Sequence, residues 1–164
     1  MWGSEERVAP NDIVQGGLGD CWFMSSAASY AEVPDRIKRV FLTEELNEKG
    51  VYAVQFYVLG SPVTVTIDDY LPYDSLTYPS SFKYSYESSG DAVWVPLLEK
   101  AAAKLFGNYE AINGGFEINA FEMLHGGPTA LYYLSDGYSA DEIWQILSDE
   151  DNQKSFMTVG SFAG

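Results

Sequence analysis

Apolar residues recur along the chain at two spacings. Between residues 94 and 106, Leu97, Leu98, Ala101 and Leu105 repeat at helical spacing. Pro96 falls in the first turn, where a missing N–H costs little, and Gly107 supplies a stop. The pattern predicts a helix over 94–106, packed by its apolar face on a second helix that begins at Cys21. That second helix runs to Glu32 and ends where Val33 precedes Pro34, since a residue before proline avoids the α region. A short helix is expected over 34–41, with Ile37, Val40 and Phe41 inward, and another over 116–124. A last helix opens on the capping box Ser139-Ala140-Asp141-Glu142 and turns Ile143, Ile146 and Leu147 inward.

Two-residue alternation marks a hairpin. Residues 51–58 are rich in branched and aromatic side chains, and residues 63–67 alternate apolar and hydroxyl side chains. Leu59-Gly60-Ser61-Pro62 turns the chain between them. Residues 129–134 and 155–162 read as further extended segments. Residues 71–90, rich in Tyr, Ser and Pro, read as a long surface loop whose tyrosines either form a binding surface or, the preferred reading, serve loop packing. The pattern is α+β, with a lobe boundary at Gly114-Gly115.

One segment fits neither spacing: Gln15-Gly16-Gly17-Leu18-Gly19-Asp20-Cys21-Trp22. It holds the only cysteine of the chain, at the start of the predicted helix. A thiol is a nucleophile only as the thiolate, and the unpaired N–H groups of a helix N-terminus stabilise that anion. Glycines at 16, 17 and 19 permit a sharp turn and the close approach of a substrate. Gln15 brings an amide donor which, with the Cys21 backbone N–H, can hold a developing oxyanion. A lone cysteine is ordinarily a small buried hydrophobe, but a core position needs no Gly-rich turn before it.

Residues 15–22 resemble the active-site segment of the calpain family of papain-like cysteine proteases. The stretch from Trp94 to Leu105, followed by Gly107-Asn108-Tyr109-Glu110, is similar to a second signature of that family. Asn113-Gly114-Gly115 and Gly126-Gly127 follow in the expected order. The resemblance implies an α+β papain-like core, its helical lobe complete in residues 1–114 and its second lobe truncated in residues 115–164. It makes Cys21 the nucleophile, Gln15 the oxyanion-hole glutamine and Gly115 a glycine whose backbone pairs with the substrate peptide. Trp22 becomes the wall of the site and Asp12 an acidic ligand of a calcium site. Where the family usually places a further glutamate ligand this chain has Ala92, with Asp91 beside it as a substitute. The stretch before Asp12 also lacks the family's Gly-rich loop of backbone ligands.

A cysteine protease needs a base to pair with the thiol and an Asn or Asp to orient that base. In papain-like enzymes the histidine lies roughly 130–150 residues beyond the cysteine. The one histidine here, His125, comes 104 residues after Cys21, in surroundings unlike the family's histidine segment. It reads as a helix-end histidine near solvent. The resemblance therefore implies a calcium-dependent cysteine endopeptidase acting on proteins and peptides. The remainder of the protease core would supply histidine and asparagine, and this chain would be inactive alone. A non-catalytic calpain-like binding or regulatory module stays open as the alternative.

Composition narrows the classes further. The 164 residues are 46% apolar and 15% aromatic, enough for a core. A net charge of −15 argues against nucleic acid, whose phosphates need a basic surface. No run of 18 apolar residues suits a transmembrane helix, and residues 1–7 lack the basic start and apolar run of a signal peptide. A single cysteine forms no internal disulfide, which fits a reducing compartment and an expected cytoplasmic location. Asp68-Asp69 and residues 149–151 are acidic clusters without EF-hand spacing and read as solvated surface.

Overall fold

The structure is a computed structural model that describes residues 1–3, 7–74, 81–87 and 92–161. The chain passes through a 3₁₀ turn, Pro10–Asp12, and strand β1 (Ile13–Val14) into the Gly-rich turn. Helix α1 (Cys21–Tyr30) starts immediately after that turn, and α2 (Pro34–Val40) starts on the proline expected to separate the two. Strands β2 (Val51–Val58) and β3 (Ser61–Asp68) form the antiparallel hairpin. Three two-residue strands follow, β4 (Tyr73–Asp74), β5 (Ser81–Phe82) and β6 (Tyr86–Glu87). Helix α3 (Trp94–Phe106) ends at Gly107, and α4 (Glu117–His125) ends at Gly126. Last comes α5 (Ala140–Asn152), whose N-cap Ser139 closes the expected capping box with Glu142.

Alternation in the hairpin decides which face meets the core. Tyr52, Val54 and Phe56 point inward, opposite Ile67, Val65 and Val63. A register slip of one residue would send all of them to solvent. Against this face lie Leu97, Leu98, Ala101 and Ala102 of α3, and Phe23, Ala27 and Tyr30 of α1 complete the core. Phe23 meets Phe56 edge-on at 6.4 Å. Each such side chain contributes about 1.5–3 kcal/mol when fully buried.

Two expected packings change. Helix α3 lies chiefly along β3 and not along α1, because its apolar face is broad enough to cover the hairpin. It reaches α1 at the N-terminal end, through Phe106 against Trp22 at 6.1 Å and through Glu99 against Asp20. Helix α1 instead packs on α4, which also packs on β2. Ala120, Met123 and Leu124 of α4 are buried in the shared core, so packing continues past Gly114-Gly115.

The Tyr-rich stretch is more structured than a surface loop where it is described. β4 pairs with β5, and β6 pairs with β1 in the register Ile13↔Glu87 and Val14↔Tyr86. Tyr84 stacks on Tyr109 at 4.3 Å, which is the packing role expected of the tyrosines. Residues 75–80 and 88–91, Asp91 among them, lie outside the described residues.

At the C-terminal end, the described parts of 129–134 and 155–162 form no strand ladder, and Phe162 lies outside the described residues. Helix α5 buries none of its residues: Ile143 and Ile146 are half-buried and Leu147 is exposed, not inward. Among the described residues no second element covers that face, and Trp144 is 71% exposed. Among the described residues, no helix is long and apolar enough to cross a membrane.

Candidate active site

The Gly-rich turn is held from two sides. Gly17 N–H donates to Lys83 O at 3.2 Å, and Gly16 sits so close to the Tyr84 backbone that a Cβ would overlap its carbonyl. On the other side Gly19 N–H donates to Asn113 Oδ1 at 3.1 Å, and Gly114 N–H donates to Gly19 O at 2.8 Å. The turn is thus tied to residues 83–84 and 113–114, far from it in sequence. Trp22 adds a third tie: its Nε1–H donates to Ile112 O at 2.9 Å and its buried indole lies against Gly115. Gln15, Cys21, Trp22 and Gly115 are therefore brought to one place.

Cys21 is exposed and is the first residue of α1. Asp20 accepts the Phe23 and Met24 N–H groups through its backbone carbonyl, but its side chain does not cap the helix. Orphan N–H groups and the helix dipole therefore face the thiol side of the turn, where they favour an anion. The Gln15 amide donates to Leu18 O at 2.6 Å and to Asp20 Oδ1 at 3.4 Å. The longer contact is the weaker of the two.

Asp20 and Glu99 form the unforeseen part of the site. Both are fully buried. Both Glu99 oxygens accept the Ser85 N–H, at 3.1 and 3.2 Å, so α3 also fastens the segment under the Gly-rich turn. Burial, and then the Asp20 charge, push the Glu99 carboxyl up to about 8. Burial also raises Asp20 above the usual carboxylate range. The helical pattern did hold a signal: Glu99 is flanked at i−4, i+3 and i+4 by Val95, Ala102 and Ala103, all buried. An acid in that position lies on the apolar face.

Asp12 is buried at the end of the 3₁₀ turn, three residues before Gln15. Its Oδ2 accepts the Ala9 N–H at 2.6 Å and its Oδ1 lies 3.9 Å from the Arg7 guanidinium. Ca²⁺ takes six to eight oxygen ligands. The described residues contain no cluster of three acidic, histidine or cysteine side chains, and buried Ala92 offers no side-chain oxygen. Asp91 lies outside the described residues. Asp12 thus closes its own turn, and the described residues group no further acidic side chains with it.

His125 closes α4, exposed, with its ring 6.3 Å from that of Tyr30 and 5.2 Å from that of Phe156. Tyr30 is the last residue of α1, about 13 Å along the axis from Cys21. The histidine thus stands at the opposite end of the nucleophile helix and cannot take the thiol proton. The site brings together an exposed thiol, an amide donor and a buried indole, without an imidazole beside the thiol.

Residues 4–163 match the family described as calpain family cysteine protease. The chain is 42% identical over 166 residues to the calpain-type cysteine protease ADL1 of Oryza sativa subsp. japonica, covering 96% of this chain and 7% of that protein. It is 44% identical over 118 residues to the calpain-type cysteine protease DEK1 of Arabidopsis thaliana, covering 72% of this chain and 5% of that protein. With calpain-8 of Rattus norvegicus the identity is 40% over 148 residues, 82% of this chain and 20% of that protein. The chain thus spans a fifth or less of the length of these relatives. With its residues matched almost from end to end, the chain belongs to the calpain family of cysteine proteases.

Proposed function

We propose that this chain carries the nucleophile half of an intracellular cysteine endopeptidase. The Cys21 thiolate attacks a peptide carbonyl carbon, and the carbonyl electron pair moves to oxygen. The Gln15 amide and the Cys21 backbone N–H hold that oxyanion. Collapse expels the amine, protonated by an imidazole, and leaves an acyl group on Cys21; water then releases the acid and regenerates the thiol. Trp22 forms the wall of the cleft and Gly115 offers its backbone to the bound peptide. The single observation that carries this reading is the exposed Cys21 thiol at the start of α1, with Gln15 on one side and the Trp22–Gly115 contact on the other.

The base and its orienting asparagine are read as coming from the remainder of the protease core. The half-buried and exposed apolar face of α5, with Ile143, Trp144 and Leu147, supports this, since it offers that remainder a surface. We read the lobe boundary as falling after α4, a reading supported by the packing of α4 on α1 and β2. Protein and peptide substrates, a cytoplasmic location and calcium regulation belong to the proposal for the whole protein. No calcium ligand set is assigned to the described residues.

The test compares two chains. The 164 residues alone should alkylate at Cys21 with iodoacetamide yet hydrolyse no peptide. A longer chain that carries the rest of the core should hydrolyse peptides and lose this with Cys21→Ala. Turnover by the 164-residue chain would overturn its dependence on an external base. A longer chain without turnover would favour the non-catalytic binding module.

A further inference from the structure

Two buried acids meet behind the nucleophile. Asp20 stands one residue before Cys21, and Glu99 comes from the middle of α3; they are 0% and 1% exposed. Among the described residues neither forms an ion pair with a lysine or arginine. Lys100, the next residue on α3, is committed to Asp68 at 2.5 Å. Two carboxylates desolvated side by side without a cation cannot both stay ionised.

The hydrogen bonding points the same way. Asp20 Oδ1 accepts from Gln15 Nε2 at 3.4 Å. Among the described residues, buried Asp20 Oδ2 has no hydrogen-bond partner. The Glu99 carboxyl faces Asp20 within hydrogen-bonding reach, but an ionised carboxylate has no proton to donate. A proton on Glu99 makes it the missing donor, and its oxygens still accept the Ser85 N–H.

We infer that Asp20 and Glu99 hold one proton between them, resident on Glu99, and that this pair positions the Gln15 amide. Glu99 donates to Asp20 Oδ2 and leaves Oδ1 as the ionised acceptor for Gln15 Nε2. Both acids are positioning residues: neither touches substrate, and both act through Gln15. The role given to Gln15 rests on the endopeptidase reading, whereas the shared proton does not. Among the described residues, Tyr109 after α3 is a further titratable group that senses Glu99. The Tyr109 hydroxyl is raised first by burial and then by Glu99, so it stays neutral where Glu99 titrates.

NMR of the 164-residue chain, labelled with carbon-13 and nitrogen-15 in its glutamate and glutamine side chains, tests the pair without turnover. The Glu99 carboxyl carbon should titrate near 8, far above the exposed glutamates, and the Gln15 side-chain amide should shift with the same midpoint. Glu99→Gln, which still donates and accepts, should erase that step and leave the Gln15 amide at its low-pH position. Asp20→Asn should lower the Glu99 midpoint by removing its charged neighbour. A Glu99 that titrates with the exposed glutamates, or a Gln15 amide that ignores Glu99, would overturn the inference. Should Glu99→Gln fail to fold, the wild-type titration and Asp20→Asn still decide. Because no peptide is cleaved, a longer protein without turnover would sink the endopeptidase reading and leave the shared proton standing.

Discussion

The indole of Trp22 occupies the space where a Cβ on residue 115 would stand: that carbon would lie 2.6 Å from Cδ2 and 2.8 Å from Nε1. The neighbour is a buried ring pinned by its bond to Ile112 O, so it cannot swing aside freely. Gly115→Ala should therefore push the indole off Ile112 and cost about 1–3 kcal/mol, the usual range for overpacking. Urea unfolding measures the loss, and the near-UV circular dichroism of tryptophan should change with it. An unchanged midpoint would mean that residue 115 is not pressed against the ring, and the cleft wall would have to be redrawn.

The buried acid pair also sets a pH dependence of stability. Glu99 is held up to about 8 in the folded chain, first by burial and then by Asp20. In the unfolded chain an ordinary glutamate titrates near ~4.3. Between these values the folded state binds a proton that the unfolded state does not, so stability falls as pH rises. Its contribution is fully present below the unfolded value and is lost as pH passes through about 8. Asp68, lowered chiefly by the Lys100 hydrogen bond, acts in the opposite sense at acid pH and is common to wild type and variant. Urea midpoints for wild type and Glu99→Gln, which mimics the protonated form, should hence converge at low pH and diverge as pH rises, standing furthest apart above 8. Parallel curves would show that Glu99 titrates as it does in the unfolded chain.

The hairpin, the helices and the nucleophile turn were legible because each leaves a local trace. Alternation gave β2 and β3, Pro34 separated α1 from α2, and Ser139 with Glu142 opened α5. What stayed hidden depends on partners distant in sequence. The apolar face of α3 is written in Leu97 and Ala101, but whether it meets α1 or β3 is decided by the shape of the whole core. The inward turn of Asp20 needs Glu99, 79 residues later, and the Gly16 contact needs the Tyr84 backbone. Helix α5 has the periodicity of a buried helix, yet none of its residues is buried. Periodicity records which face seeks a partner and says nothing of where that partner lies.

Asp12 offers a direct test of the calcium expectation. Its carboxylate already accepts the Ala9 N–H and faces Arg7, so it closes the 3₁₀ turn leading into β1. Asp12→Ala should leave the Ala9 N–H unpaired and cost about 0.5–2 kcal/mol, as for a lost helix cap. Calorimetry with calcium should give the same heat for both chains, because the Asp12 carboxylate is already engaged by the Ala9 N–H and faces Arg7. Calcium binding that disappears in Asp12→Ala would restore the metal site and require ligands from outside the described residues.

The hairpin turn carries a removable strain. Val58 pairs with Ser61, so the loop is only Leu59 and Gly60, with φ of 50° and 75°. A positive φ at both central residues is the requirement of a type I′ turn, for which Asn-Gly is strongly preferred. Leucine there sets its Cβ against the following carbonyl, at roughly 1–2 kcal/mol, and its side chain is fully exposed and packs on nothing. Leu59→Asn keeps the turn, relieves part of that strain and removes an apolar group from water. The expected gain is about 0.5–1 kcal/mol, seen as a higher urea midpoint. Leu59→Val, branched at Cβ, should lower the midpoint, since a branched residue tolerates positive φ worst. Because the turn caps the hairpin end away from Cys21, iodoacetamide should alkylate both variants at the wild-type rate. A midpoint that fell in Leu59→Asn would show that Leu59 makes a stabilising contact and that its backbone is not the strained element.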